Sequence, residues 1–378
     1  MVYGFITTAV LFIGVLLVLV LAHEWGHFFM ARRFGVKVLE FGFGFPPKLY
    51  GWFRHGTEYR LNLIPLGGFV RLKGEDGSDA HDSDSFAHKK AWQRLTILLA
   101  GVFMNFFLGY VLFVVAFSLG GTMTLPQEDA HAIVSHARVV AAGVLANSPA
   151  ARAGILPGDE LVALGLATQG GRPADSGGGI LASDPQAIKE YITAHRDLDI
   201  ILIARRAGAG TDTMTFRAHP VELMPGVIGI GVQMTEIGEV HYAFPYVFVR
   251  AARETREVSL LIFKSLGTVV AKLVHHGQLE EGVSGPVGIA VVTKQVAHAG
   301  LVPFLELVAM LSVNLGLLNA LPFPALDGGR ALFVVLEKVL RKKMRMEIER
   351  ATHLMGFALL MLLVIAVTYR DIIALLHK

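Results

Sequence analysis

Two histidines and a glutamate form the pattern His-Glu-x-x-His at residues 23–27. On a helix, His23 and His27 lie four residues apart on one face, where both imidazoles can bind one Zn²⁺. Glu24 lies beside them and can serve as a base towards a water molecule at the metal. This pattern is typical of zinc-dependent peptide hydrolysis.

The motif ends an almost unbroken apolar run over residues 2–22. An ordinary histidine pair on a helix surface or in a core is the alternative interpretation of such a pattern. Three ionisable groups at membrane depth are costly in free energy unless they pair or bind a metal ion. The placement therefore favours a metal site inside the bilayer.

A catalytic zinc usually has three protein ligands and one open position. The chain has no cysteine, so the third ligand must be His, Asp or Glu. Asp327 is the candidate, because it follows an apolar segment whose end is interrupted by Pro322 and Pro324. Irregular backbone at membrane depth is tolerated where it lines a cavity. Taken alone, Asp327 could merely cap the next helix; together with the histidine pair, we expect it to be the third ligand.

The composition is that of a membrane protein with an added soluble part. Of 378 residues, 53% are hydrophobic and 17% are charged, and the net charge of +3 gives no indication of nucleic-acid binding. Residues 32–94 carry eleven Lys and Arg, and residues 330–350 carry seven. Short basic segments mark the cytoplasmic side. We therefore expect the metal roughly 7–14 Å inside the cytoplasmic boundary, with both termini and residues 120–300 outside.

Residues 36–45 and 59–63 show strand patterns, and Pro65 to Gly68 give turn signals. We expect a β-hairpin that dips into the membrane beside the first span and receives an extended substrate by strand addition. A plain amphipathic surface hairpin is the alternative. The predicted substrate-holding residues of this hairpin are Asn62, Leu63, Ile64, Pro65, Leu66, Gly67 and Gly68.

With these motifs in place, the chain resembles the intramembrane site-2 metalloproteases (peptidase family M50), in particular the RseP-like branch. The resemblance is carried by the zinc motif, by Asn-x-x-Pro-x-Pro-x-Leu-Asp-Gly-Gly at 319–329, by Ile-Pro-Leu-Gly-Gly at 64–68, by the 148–161 segment, by Ser-Gly-Pro-Val-Gly-Ile at 284–289 and by Ser-Val-Asn-Leu-Gly at 312–316. It covers nearly the whole chain.

Length and polarity predict four transmembrane helices, and the resemblance implies an inserted extracytoplasmic PDZ domain of α+β type. We therefore expect a polytopic α-helical membrane protein with four transmembrane helices, a membrane-associated β-hairpin and this PDZ domain. The expected boundaries are 1–34 for the first transmembrane helix, 35–75 for the hairpin region, 76–94 for a cytoplasmic loop, 95–120 for the second transmembrane helix, 128–235 for the PDZ domain, 241–295 for an amphipathic helix and the SGPVGI loop, 300–330 for the third transmembrane helix, 331–350 for a cytoplasmic amphipathic helix, and 351–370 for the fourth transmembrane helix.

The resemblance also implies one Zn²⁺ per chain, held by His23, His27 and Asp327. It implies that Asn314 and Asn319 hold the substrate backbone or the oxyanion. The implied substrates are single-pass membrane proteins such as anti-sigma factors or remnant signal peptides, cut in regulated intramembrane proteolysis in the bacterial inner membrane, with an upstream site-1 protease as a partner.

The chain departs from the pattern of the family in two ways. It has room for one PDZ domain where well-known members carry two, and Arg330 follows the Asp-Gly-Gly motif where a histidine is often found.

Two other classes of protein compete with this interpretation. A non-catalytic PDZ-bearing membrane scaffold would not need the intact motif together with Asp327. A metal transporter would need further polar residues along the second and fourth spans, which offer almost none. At 246–274 we expect an amphipathic helix on the outer membrane face; a fifth span is the alternative.

Overall fold

The computed structural model describes residues 2–77, 79–124, 131–167, 179–206, 212–224, 226–276, 285–342, 344 and 346–376. The chain divides into two compact units, Met1–Ala116 with Val247–Lys378, and Phe117–Tyr246. In chain order the helices are α1 (Val2–Arg33), α2 (Ala91–Leu119), α3 (Pro149–Ala153), α4 (Pro185–Ala194), α5 (Tyr246–His276), α6 (Pro286–Ala299), α7 (Leu301–Ala320), α8 (Asp327–Leu340) and α9 (Met346–Leu376). The strands are β1 (Val38–Arg54), β2 (Thr57–Leu72), β3 (Gly121–Thr124), β4 (Ala132–Val144), β5 (Glu160–Leu166), β6 (Ile180–Leu181), β7 (Ile200–Arg205), β8 (Thr213–Ala218), β9 (Val221–Met224), β10 (Val227–Gly229) and β11 (Val232–Tyr242).

Within the described residues, four helical segments are long and apolar enough to cross a membrane. They are Ile6–Arg33, Ala91–Leu119, Leu301–Ala320 and Glu347–Ile373. Helix α5 does not belong to this set, because charged side chains such as Glu254 and Glu257 interrupt its apolar sequence. The prediction of four membrane-capable helices is confirmed.

Helices α1, α2 and α7 pack against one another along their apolar faces. Val15 and Leu19 of α1 are buried against Val308 of α7, and Leu108 of α2 packs beside them. Towards the end of α1, a side chain at Gly26 would collide with the backbone of Ala100 in α2. Glycine thus permits α1 and α2 to approach closely at the level of the zinc motif.

Strands β1 and β2 form a more elaborate sheet than the predicted hairpin. The first part of β1 pairs with the end of β2, with Phe41 opposite Val70. Phe41 also lies opposite Tyr59 at the beginning of β2. After Pro46 and Pro47 the chain reaches the other side of β2, where Trp52 lies opposite Tyr59. The order across the sheet is therefore 68–72, 38–43, 57–62 and 48–54.

Two predicted segments differ from the structure. The predicted loop at 284–289 is helical from Pro286 onwards, because proline suits the first turn of a helix; Ser284 lies outside the described residues. The helix predicted over 331–350 is wrong as a single element. It divides into the end of α8 and the beginning of α9, because Arg341 adopts a left-handed conformation with φ 52° and ends α8.

The second unit is built on one sheet with the order β3-β11-β4-β5-β7-β8, in which β6 pairs with β5. A separate pair is formed by β9 and β10. Asp184 caps the beginning of helix α4, and its carboxylate accepts from the backbone N–H groups of Gln186 and Ala187. The core of this unit includes Val139, Ile155, Leu161, Leu164, Ile188, Ile200, Leu202 and Phe216.

Candidate metal centre

Three side chains separated by some 300 residues of sequence converge at one point in the helical unit. His23 and His27 are buried, with 7% and 8% of their surface exposed, and their Nε2 atoms lie 3.2 Å apart. Asp327 Oδ2 lies 2.8 Å from His23 Nε2 and 3.2 Å from His27 Nε2. The structure thus brings together the three residues that were predicted as zinc ligands.

Asp327 reaches this point because the chain turns sharply between α7 and α8. Helix α7 ends at Ala320, and the segment with Pro322 and Pro324 leads directly to Asp327 at the beginning of α8. The backbone N–H of Ala325 donates to His353 Nδ1 over 2.9 Å, which holds the turn against α9. The two prolines therefore end one helix and place the carboxylate at the start of the next.

The imidazoles are oriented by atoms of α2. His27 Nδ1 lies 2.8 Å from the carbonyl oxygen of Ile97, so that Nδ1 carries the proton and Nε2 is left as a free acceptor. A side chain at Gly101 would overlap both His23 and His27. Glycine at that position makes the room that the two rings need.

The three acceptor atoms fit a zinc ion. Zinc bonds of about 2.0–2.1 Å in a tetrahedral site place ligand atoms about 3.3 Å apart. The three separations of 2.8, 3.2 and 3.2 Å are close to this value. Within the described chain, this is the group of His, Asp or Glu side chains whose ligand atoms could share one ion. Two nitrogens and one carboxylate oxygen are also the ligand types that zinc prefers in hydrolytic sites.

Glu24 lies in the same cavity as the three ligands. This cavity has a volume of about 170 Å³ and is lined on one side by the strand segment that contains Phe69, Val70 and Leu72. A side chain at Gly68 would contact the Glu24 side chain. The end of β2 is therefore the wall that faces the metal centre.

The predicted substrate-holding residues of the hairpin are distributed differently. Asn62 is buried, and its Nδ2 donates to the carbonyl oxygen of Gly44 over 2.9 Å, so its side chain is engaged within the sheet. Leu63 and Ile64 are exposed. The backbone of Pro65, Leu66 and Gly67 leads to Gly68, which lies next to Glu24. The side chains of Pro65 and Leu66 lie outside the described residues.

Asn314 and Asn319 are half-buried positions on α7. Their predicted role towards the substrate stays a prediction.

Three residues at the site were missed by the sequence analysis. Asn105, fully buried in α2, lies 3.2 Å from His23 through its Nδ2 atom. Gly101 precedes it by one helical turn, and Glu75 lines the cavity beside Glu24. A buried asparagine in a membrane-capable helix is itself a functional signal, and it could have directed attention to Asn105.

The sequence model of Peptidase family M50 matches residues 11–363 of this chain. The chain belongs to peptidase family M50, the site-2 proteases. Zinc metalloprotease RasP of Oceanobacillus iheyensis is 30% identical over 457 aligned residues, which cover 97% of this chain and 99% of the relative. A relative from Clostridium perfringens is 33% identical over 358 residues, covering 94% of this chain and 95% of the relative. One from Agrobacterium fabrum is 30% identical over 397 residues, covering 99% and 98%.

The names of these relatives contain the words zinc metalloprotease. Membership in family M50, together with the converged ligand atoms and the four membrane-capable helices, makes the protein a multi-pass membrane metalloprotease.

Proposed function

We propose that the protein is an endopeptidase that hydrolyses peptide bonds within or near the transmembrane segments of single-pass membrane proteins. The observation that carries this proposal is the meeting of His23, His27 and Asp327 beside Glu24, with the two histidines on a helix that is long and apolar enough to span a bilayer. Such a site acts on a bond that is already inside the membrane or at its boundary.

His23, His27 and Asp327 would hold one zinc ion per chain. When bound in such a site, zinc activates water and polarises a substrate carbonyl. Glu24 lines the same cavity, so its carboxylate is in position to take the proton of the attacking water and return it to the leaving amine.

The substrate would lie along residues 68–72. Among the described strands, this segment pairs only with 38–43, and its Phe69, Val70 and Leu72 line the metal cavity. A transmembrane helix must unwind before it is cut, and pairing with this segment would replace the hydrogen bonds that are lost. The proposed edge is thus further along β2 than the segment around Asn62, which is paired on both sides.

Asn314 and Asn319 would hold the substrate backbone or the developing oxyanion from α7. Amide donors in this role are typically worth about 10²–10³ in rate. Both positions lie on the helix whose end leads to Asp327, which is consistent with a place near the reacting bond.

The second unit would act as a PDZ domain that filters or binds substrates outside the membrane. Two features support this proposal. Residues 232–236 of β11 pair with β4 on one side, whereas β3 covers only residues 237–240 on the other side. Helix α4 packs near this uncovered stretch, so an extended peptide could add to β11 as a further strand. The placement outside the cytoplasm is supported by the basic segments at 32–94 and 330–350.

The substrates would be anti-sigma factors or remnant signal peptides in the bacterial inner membrane, trimmed in the first case by an upstream site-1 protease. This part of the proposal is supported by the family resemblance, and the bilayer is the second partner. Regulated intramembrane proteolysis would be the process that the enzyme serves.

Cleavage by the Glu24→Gln variant tests the proposed function. The substitution removes the base but keeps both imidazoles, so the purified full-length variant should retain zinc and lose cleavage of a single-pass model substrate by at least about 10³-fold. An inactive parent that holds zinc would favour the membrane scaffold instead. Turnover by the variant within tenfold of an active parent would remove Glu24 from the mechanism.

A further inference from the structure

We propose that Asn105 is a positioning residue that fixes the orientation and the tautomer of His23 for zinc binding. This inference rests on the proposed zinc site and assigns the side chain that supports one of its ligands. Asn105 belongs to α2 and has no exposed surface. Its side-chain amide lies 3.2 Å from Nδ1 of His23, on the opposite side of the ring from the ligand atom Nε2.

The amide of Asn105 faces His23 with a donor, whereas the metal-binding form of His23 needs an acceptor there. Among the described residues, Asn105 Oδ1 is buried and has no hydrogen-bond partner, whereas Nδ2 faces Nδ1 of His23. A histidine that binds metal through Nε2 carries its proton on Nδ1. That proton needs an acceptor, and Nδ2 cannot accept.

Turning the amide over resolves this conflict. The oxygen and nitrogen of an asparagine side chain have nearly the same shape, and their placement follows from the hydrogen-bond network. With Oδ1 towards His23, the Nδ1–H group donates to Asn105, and Nε2 keeps its lone pair for the zinc ion that it would share with Asp327. The amide nitrogen then takes the position that Oδ1 has now.

Contacts with α7 hold Asn105 in place beside His23. Its backbone carbonyl accepts a hydrogen bond from Ser312 Oγ of α7 over 2.8 Å, and Ser312 is also fully buried. A side chain at Gly316 would press on the Asn105 side chain, so α7 packs directly against it. The amide therefore has a fixed position between α7 and the metal centre.

The two histidine ligands depend on their supports in different ways. His27 Nδ1 donates to the backbone carbonyl of Ile97, which no side-chain substitution removes. His23 depends on a side chain, and Asn105 is the described residue that contacts its Nδ1. Removing such a support from a metal-bound histidine typically weakens metal affinity about 10- to 100-fold.

Zinc affinity of full-length variants tests the proposal, measured by competition with a chelator in the Glu24→Gln background. The readout is zinc and not cleavage, so a failure of the proposed peptidase activity would leave the test intact. Asn105→Leu, which keeps the size and removes the acceptor, should bind zinc about 10- to 100-fold more weakly. Asn105→Asp, which can only accept, should stay within about threefold of the parent or bind more tightly.

Ser312→Ala is the matched control. It removes the hydrogen bond to the backbone carbonyl of Asn105, but the packing of Gly316 against the Asn105 side chain remains and keeps the amide beside His23, so its zinc affinity should stay within about threefold of that of the parent. The absorption spectrum of the Co²⁺-substituted protein gives a second readout, since a rotated His23 changes the ligand field. It should change in Asn105→Leu and be restored in Asn105→Asp.

Parent-like zinc affinity and an unchanged cobalt spectrum in a folded Asn105→Leu protein would overturn the proposal. Should Asn105→Leu fail to fold, Asn105→Asp decides, because a folded Asp variant that loses zinc contradicts the need for an acceptor. An equal loss in Ser312→Ala would show that helix packing, and not the contact with His23, is the cause.

Discussion

Glu75 and Arg330 form an ion pair, with 2.5 Å between Oε1 and Nη1, that joins the end of β2 to the helix bearing Asp327. The second oxygen of Glu75 accepts from the backbone N–H of Leu72 over 2.9 Å. Burial lowers the pKa of Arg330, but the carboxylate of Glu75 outweighs it and raises the pKa above its usual range. The pair therefore couples the proposed substrate strand to a zinc ligand three residues away from Arg330.

The same pair separates two cavities. Glu75 and Arg330 line both the metal cavity and a larger cavity of about 780 Å³, whose other walls include Arg71, Glu347 and Arg350. The histidine often found in the family after Asp-Gly-Gly is replaced here by an arginine that can reach Glu75. The departure noted in the sequence thus has a structural role.

Breaking this pair should reduce catalysis without removing zinc. Glu75→Gln is expected to lower kcat/KM for a single-pass substrate about 10- to 100-fold, because small displacements of a bound substrate from the reactive geometry have effects of this size. Arg330→Met should have a similar effect, and the double variant should be little worse than either single one, since both changes remove one interaction. Steady-state cleavage and metal analysis measure the two quantities.

Additive losses in the double variant would show that Glu75 and Arg330 act separately. Loss of zinc in Glu75→Gln would mean that the pair supports the metal and not the strand.

Removal of the third ligand should abolish metal binding. Asp327→Asn keeps the shape of the side chain but removes its charge, and His23→Ala removes a ligand nitrogen. Both variants should lose zinc and activity together. In the parent, a chelator should inactivate the enzyme and added zinc should restore it. If metal analysis still finds one tightly held zinc in Asp327→Asn, the third ligand lies elsewhere in the chain.

In the second unit, an ion pair should make stability depend on pH. Arg206 donates from Nε and Nη2 to Asp159 over 2.8 and 2.7 Å, and these hydrogen bonds lower the pKa of Asp159 against the opposing effect of burial. A lowered carboxyl pKa stabilises the fold above the unfolded value of about 3.9, and this contribution is lost as the pH falls through the folded value. Asp159→Asn should therefore destabilise the unit at pH 7 by about 1–2 kcal/mol.

The difference between Asp159→Asn and the parent should shrink below about pH 4. Hydrogen exchange of residues 160–166 in the full-length protein measures it locally. Asp199→Asn is the control, because Asp199 pairs with the exposed side chains of Arg217 and His219 and should contribute less. Equal exchange in Asp159→Asn and the parent at pH 7 would contradict the prediction.

The ligands of the metal centre were predictable because each has a local signal. His23 and His27 share a helix face by spacing alone, and Asp327 follows from the need for a third ligand in a chain without cysteine. The polar side chain of Asn105 stands out in its apolar helix, but nothing local identifies its partner or that of Glu75, because these partners lie 82 and 255 residues away in sequence. Contacts of that range depend on how helices pack, which neither periodicity nor local motifs specify.

The strand order of the β1–β2 sheet could not be predicted from the sequence for a related reason. Alternation of apolar residues predicts strands, but it is equally compatible with a simple hairpin and with the order seen here. The strand order changes at Pro46 and Pro47, where β1 passes to the other side of β2. This crossing encloses Asn62 between two strands and leaves 68–72 as the segment facing the metal.

Two proline substitutions distinguish two candidate strand edges for substrate binding. One is the segment from Asn62 to Leu66, which was predicted from the sequence, and the other is 68–72, which we propose from the structure. Leu72 donates its N–H to the carboxylate of Glu75, and in a strand the N–H groups of residues 70 and 72 point the same way. The N–H of Val70 therefore points away from its partner strand, where a substrate would pair. Val70→Pro should remove this donor and lower cleavage of a full-length membrane substrate about 10- to 100-fold with zinc unchanged.

Leu63→Pro is the matched substitution in the same strand. Leu63 is exposed and lies outside the segment 68–72 that lines the metal cavity, so the variant should cleave nearly as well as the parent. Helix-breaking residues in the substrate should partly rescue Val70→Pro, because they reduce the free energy of unwinding. If only Leu63→Pro loses cleavage, the substrate pairs with the segment from Asn62 to Leu66, as predicted from the sequence, and not with 68–72. Normal cleavage by both variants would mean that the sheet supports α1 without pairing with the substrate.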